Sequence, residues 1–184
     1  MEGLAFILIG GVLFSQSWHL LGLYSDGRTV GLFVGVLGLA LLISLTVDPL
    51  VFVGGNVNAN PVAEIGVMKI LILAWAGYAI GVAAHGLWDF DDRAIGFYGA
   101  FLTAVSAISL VYFSVKLYDA YGDGIGAAFS VVTLILAGLA AIIFFYLAVP
   151  FAILRLVAGW FLLFGSSAVV AIGLAIATTL IEVD

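Results

Sequence analysis

The chain has 184 residues, of which 65% are hydrophobic and 9% charged, against roughly 45–50% and about 25% in an ordinary soluble domain. Five Lys/Arg and eleven Asp/Glu are too few to solvate a globule, and the high hydrophobicity excludes disorder. The net charge of -6 argues against nucleic acid as a partner, and the absence of cysteine excludes disulfides, thiolate metal sites and cysteine catalysis.

The chain therefore reads as an integral membrane protein whose main partner is the lipid bilayer. Charges divide it into uncharged runs at 3–25, 29–47, 49–63, 70–88, 94–115, 124–154 and 156–181. A crossing helix needs about 20 apolar residues, and all runs but 49–63 meet this. That exception contains VGGNVNANP, whose Gly, Asn and Pro predict a loop. Helices are predicted near 3–23, 30–47, 67–87, 94–115, 127–149 and 156–180. The runs are continuously apolar rather than alternating, which argues against a β-barrel. The expected fold is an all-α polytopic membrane protein. Its six transmembrane helices form three like-oriented hairpins, about 3–47, 67–115 and 127–180, in one membrane domain over 1–184.

Six spans put both termini on one side. The short connections Tyr24–Arg28, Trp88–Arg93 and Pro150–Arg155 hold Arg28, Arg93 and Arg155. Lys69 and Lys116 lie on the other side, with Glu2, Asp48, Glu64, Asp119, Asp123, Glu182 and Asp184. The bias of basic residues toward the cytoplasm then places the short loops inside and the termini outside. The N-terminus has no basic stretch of the kind that opens a cleavable signal peptide.

The even helices open alike: RTVGLF at 28–33, RAIGFY at 93–98 and RLVAGW at 155–160. Arg is followed three residues on by a small residue and five on by an aromatic one, at intervals of 65 and 62 residues. Upstream, HLLGLYSDGR (19–28) parallels HGLWDFDDR (85–93). An Arg beyond the carboxyl end of an odd helix complements its dipole. The small residue is expected to let the two helices of a hairpin approach closely. Three like-oriented repeats suit a path along the bundle axis better than a rocking transporter.

Polar groups within spans face the bundle interior by default. Gln16 can donate and accept, which suits an amide or urea; the competing reading is a helix–helix hydrogen bond. His19 and His85 lie about a turn from the short-loop end. Aromatic candidates for a slot that admits a flat solute are Phe14, Trp18, Trp75, Tyr78, Tyr98, Tyr146, Trp160 and Phe164, with membrane-belt or core roles as the alternative. Ser15, Ser17, Thr103, Ser106, Thr133, Ser166 and Ser167 can bond their own helix carbonyls. Asp89, Asp91, Asp92 and Arg93 form the densest charge cluster; it reads as an interfacial turn with a local Asp–Arg pair rather than as a divalent-cation site. Gly31/Gly35, Gly77/Gly81 and Gly96/Ala100 read as close-contact stripes.

With these residues in view, the sequence resembles the AmiS/UreI family of small six-helix urea and amide channels. The resemblance covers most of the chain. It rests on ILIGGVLFSQSWHLLGL (7–23) with TVGLFVGVLGL (29–39), and on HGLWDFDDRAIGFYGAFLTAV (85–105). The resemblance implies a homo-oligomer, a hexameric ring, in which each protomer in a prokaryotic plasma (inner) membrane passes a small neutral solute. It matches the family's first-helix Asn with Gln16 and the third-helix polar residue with His85. Phe164, in LLFGSS (162–167), replaces the family's sixth-helix glutamate, and Thr133, Leu136 and Ala140 replace the Trp-rich face of acid-gated members.

The candidate pore-lining set is thus Phe14, Gln16, Trp18, Trp75, Tyr78, His85, Tyr98, Tyr146, Trp160 and Phe164. The expected function is a channel or facilitator for urea or a short-chain amide. The alternative is a structural or accessory subunit of a larger membrane complex, favoured by the missing glutamate and the sparse polar lining. No serine–histidine, diacid or metal-ligand constellation lies within the spans, so neither catalytic residues, metal nor cofactor is expected. The topology has a direct check. Single cysteines at Asp26 and Asp91 should escape an impermeant thiol label in whole cells, whereas one at Asp123 should react; labelling at 26 or 91 reverses the orientation.

Overall fold

The computed structural model describes residues 2–23, 26–47, 61–88, 90–148 and 152–178. Helix α1 spans Glu2–Leu20, α2 Gly27–Val47, α3 Pro61–Trp88, α4 Asp92–Tyr112, α5 Tyr118–Ala148 and α6 Ala152–Ala177, with a short π-helical segment, Phe113–Leu117, between α4 and α5. There is no strand among the described residues, and all six helices are long and apolar enough to cross a membrane. The loop expected over VGGNVNANP falls at 53–61, of which all but Pro61 lies outside the described residues. So do Asp48, Asp89, Glu182 and Asp184, and the side chains of Glu64, Asp92, Lys116, Asp119 and Asp123.

Helix limits differ from the sequence reading for local reasons. Helix α1 stops at Leu20, not 23, because Gly22 adopts φ 70°, open to a residue without Cβ. Leu23 N then donates to Trp18 O and Gly22 N to His19 O, the two bonds of a glycine-terminated Schellman end. Pro61 opens α3, a position where its missing N–H costs nothing. Helix α5 begins at Tyr118, ahead of the expected 127, since a charge ends an apolar run without ending backbone hydrogen bonding. Asp91 caps α4, its carboxylate accepting from Arg93 N at 3.0 Å.

Each helix contacts its chain neighbours, and α6 returns to α1, so the six form a closed circuit. The most extensive contacts are α1 with α6, α2 with α3 and α4 with α5. These pairs are antiparallel and lie between the expected hairpins rather than within them. Small residues explain the choice. A Cβ on Gly3 would meet Gly173 O at 2.5 Å, one on Gly86 would meet Gly27 O at 2.7 Å, and one on Gly99 would meet Phe144 N at 3.0 Å. The small residue of each Arg motif serves the same purpose: Gly31 lies against Gly86 of α3, and Gly96 against Leu147 and Ala148 of α5. In the third copy Ala158 is fully buried, and its neighbour Gly159 abuts Leu20 and Leu21 at the end of α1. With no hydrophobic drive between helices in lipid, such backbone approaches supply much of the association.

Buried side chains from every helix form one core, among them Phe6, Val34, Trp75, Leu102, Val132 and Leu162. Toward the end that carries the termini, Phe129 is packed edge-on against both Phe6 (5.3 Å) and Phe113 (5.4 Å), closing the interior with aromatic carbon. The perimeter is apolar, with Leu32, Phe33 and Val36 on α2 and Phe97 and Phe101 on α4 exposed, as a lipid-facing surface requires.

Two alanine substitutions on α3 separate contact from void. Gly86→Ala forces a methyl into the α2 backbone and should lower stability by about 1–3 kcal/mol. Gly81→Ala meets nothing within 4 Å and should be neutral or slightly stabilising. Thermal unfolding of the two purified variants, followed by circular dichroism in one detergent, checks the contrast.

Candidate functional site

One polar group per odd helix meets inside the apolar bundle. Gln16 of α1 is buried; its Nε2 donates to Tyr146 Oη of α5 at 3.1 Å, and its Oε1 accepts from Tyr78 Oη of α3 at 2.7 Å. The amide of Gln16 is thus bonded at both ends, to one phenol through its oxygen and to another through its nitrogen. Such hydrogen-bonded chains strengthen cooperatively in a medium of low dielectric constant.

Of these three residues Tyr78 borders a cleft of about 430 Å³ between α3 and α4 at the short-loop end, within the size range of small-molecule pockets. Gly77, Tyr78, Gly81 and Ala84 form one wall, Ala94, Ile95 and Tyr98 the other, and Phe90 and Asp91 the rim. Tyr98 crosses from α4 to donate to Ala74 O at 2.9 Å, and its Oη would lie 2.6 Å from a Cβ on Gly77. Glycine at 77 is what lets this phenol lie against α3. Trp75 stands edge-on to Tyr78 (5.7 Å, 80°), and its Nε1 donates to Ser106 Oγ at 3.4 Å. The floor of the cleft is thus aromatic and neutral, with hydroxyls that donate and accept, and without a charged side chain.

The structure sorts the ten sequence candidates into three groups. Gln16, Tyr78 and Tyr146 come together, with Trp75 and Tyr98 beside them. His85 Nδ1 bonds Phe90 O in the connection to α4, near the rim. Phe14, Trp18, Trp160 and Phe164 lie on the perimeter, 38%, 44%, 48% and 67% exposed. Phe14 contacts Trp18, and Trp160 stacks on Phe164, at the i,i+4 spacing of one helix face. These four face away from the interior because Gly10, Leu13 and Gln16 on α1, and Ala158, Leu162 and Ser166 on α6, occupy the inward positions. Gly77/Gly81 is likewise no close-contact stripe along its length, since Gly81 backs onto open space.

Sequence reasoning missed Ser106 as an acceptor for Trp75. Its hydroxyl looks like that of Ser15, Thr103, Thr133 and Ser167, which bond carbonyls of their own helices; nothing in sequence marks the exception. Among the described residues no group of three or more His, Asp or Glu could hold a metal ion.

No family model and no curated protein matches the sequence. The fold does match. Superposition on the cryo-EM structure of the Helicobacter pylori urea channel in its closed state gives a TM-score of 0.74, covering 97% of this chain and 99% of that chain at 15% identity. The chain shares the six-helix architecture of that channel, the arrangement that the resemblance to the AmiS/UreI family implied.

The bonds of Gln16 have an energetic signature. Gln16→Leu leaves the buried Tyr78 hydroxyl without its acceptor, which should cost about 1–3 kcal/mol. Gln16→Leu combined with Tyr78→Phe should recover part of that loss, because both polar partners are then gone. A double-mutant cycle in detergent unfolding measures the coupling.

Proposed function

We propose that the protein is a membrane channel for a small neutral polar solute of the urea and short-chain amide class. The observation that carries the reading is the cleft bordered by Tyr78, whose hydroxyl bonds the buried amide of Gln16, inside a six-helix membrane bundle. The likeness in fold to a urea channel supports it. A solute enters from the short-loop rim at Asp91 and slides between the aromatic faces of Tyr98 and Tyr78. There it exchanges water hydrogen bonds for those of phenol and amide groups. Lipid or a neighbouring protomer forms the remaining wall of the cleft. Beyond Gln16, toward the end that carries the termini, Phe129 packs edge-on against Phe6 and Phe113, and in this reading these rings have to move for passage.

In this reading the protein does no chemistry on its solute and needs no metal or cofactor. It works as a homo-oligomer, a ring of six favoured, in the plasma membrane of a prokaryote with its termini outside. The apolar perimeter, including the Trp160–Phe164 stack, supplies lipid-facing and protomer-facing surface.

Purified protein in liposomes tests this. Wild-type vesicles should equilibrate urea or acetamide faster than empty ones, and the particle should have a mass several times that of one chain. Gly81→Leu places a side chain into the cleft, where a Cβ at 81 meets nothing. It should keep the fold and lower the flux on the order of tenfold, a barrier increase of about 1.4 kcal/mol. Wild-type flux equal to that of empty vesicles for both solutes would favour an accessory subunit instead.

A further inference from the structure

The carboxamide of Gln16 is held as a free amide ligand would be held. Tyr78 Oη donates to its carbonyl oxygen at 2.7 Å, and its nitrogen donates to Tyr146 Oη at 3.1 Å. Beyond Cβ this side chain consists of Cγ, Cδ, Oε1 and Nε2, atom for atom an acetamide; urea differs only in carrying nitrogen where Cγ stands. Tyr78 also borders the cleft, so the site is one side chain away from a compartment a solute can reach. We propose that Tyr78 and Tyr146 form a recognition site for an unsubstituted amide or urea, and that Gln16 is its built-in occupant, displaced when solute binds.

Three features support an occupant rather than a mere helix–helix bond. First, both ends of the amide are read with the polarity an amide requires: a donor to its oxygen and an acceptor from its nitrogen. Second, the phenols come from α3 and α5, two helices that the occupant's own helix α1 meets through these bonds. Third, Trp75 braces Tyr78 edge-on while donating to Ser106, which fixes one phenol independently of Gln16. The site selects by hydrogen-bond count. A tertiary amide has no N–H for Tyr146, and its alkyl groups occupy the place of that donor.

This inference rests on the channel reading for its physiological meaning, but its test reads binding separately from flux. Gln16→Ala removes the atoms of one acetamide. The variant should be destabilised in detergent, and millimolar acetamide or urea should raise its unfolding temperature by several degrees. N,N-dimethylacetamide should not do so, and neither amide should shift the wild type comparably. The rescue should vanish in Gln16→Ala/Tyr78→Phe and in Gln16→Ala/Tyr146→Phe. In liposomes, losing the competitor should raise acetamide flux on the order of tenfold, what two net hydrogen bonds of ordinary strength are worth. Should Gln16→Ala fail to assemble, Gln16→Ser, which also vacates the amide position, carries the same expectations. Equal responses to acetamide and N,N-dimethylacetamide, or none in either variant, overturn the inference even if wild-type vesicles conduct. Selective rescue without wild-type conduction sustains the amide site and rejects the channel.

Discussion

A polar group in hydrocarbon has no water to fall back on, and the interior of this bundle is organised by that constraint. Three helices each bring one hydrogen-bonding side chain to the same place, where Gln16 accepts from Tyr78 and donates to Tyr146, so that both ends of its amide have a partner. No two of the three groups could do this. An amide and one phenol would leave either the amide oxygen or its nitrogen without a partner, at a cost of several kcal/mol in a medium that cannot hydrogen-bond. Because the third member comes from α5, these bonds tie together helices far apart in sequence, and they set the depth at which α1, α3 and α5 stand against each other. Trp75 and Tyr98 then take their places around Tyr78.

Small residues set the second condition. Glycines close the α1–α6, α2–α3 and α4–α5 contacts to backbone distance. The α3–α4 contact is less extensive, and there glycine has the opposite effect: Gly81 faces empty space and Gly77 faces the Tyr98 phenol. The same residue type therefore zips three seams and hollows a fourth. What decides is the element opposite. Gly86 meets a backbone that itself carries Gly27 and Gly31, so both helices can approach. Opposite Gly77 and Gly81 stands an aromatic ring, which holds α4 off at the distance of a phenol and leaves the cleft beside it.

The number of spans, their lengths and the inward preference of Gln16 were legible because they depend on hydropathy and on the cost of a polar atom in lipid. The partner of each span was not. The Arg-x-x-small motif marks Gly31 and Gly96 as contact positions, yet the helix each one touches belongs to the next hairpin, and periodicity within one helix carries no information about its neighbour. Aromatic residues could not be sorted for a related reason. Phe14 and Tyr78 are equally plausible wall residues by type, but a helix that is apolar on every side gives no hydrophobic face from which to read inward and outward. Tyr78 and Tyr146 become distinguishable only through Gln16, whose two-ended amide demands a donor and an acceptor nearby. Trp160 and Phe164, without a polar group opposite, fall to the perimeter. His85, half-buried near the short-loop end, bonds the carbonyl of Phe90 just beyond α3, a local partner that hydropathy does not announce.

Neutrality of the cleft floor bears on selectivity without any filter of charges. An ion entering between Tyr78 and Tyr98 would lose its hydration against phenols and apolar walls, and even after relaxation that loss runs to several kcal/mol. A urea-sized solute loses dipolar hydrogen bonds of the kind that hydroxyl and amide groups replace almost in kind, so its net cost is a fraction of that of an ion. The carboxylate of Asp91 stands at the rim rather than on the floor and accepts from Arg93 N as the cap of α4; it shapes the mouth without charging the interior. In the proposed channel, the bonds with which two phenols satisfy the buried amide of Gln16 are those that an amide solute would make. Selection for a stable six-helix core and selection for a planar, neutral, hydrogen-bonding solute would draw on the same side chains.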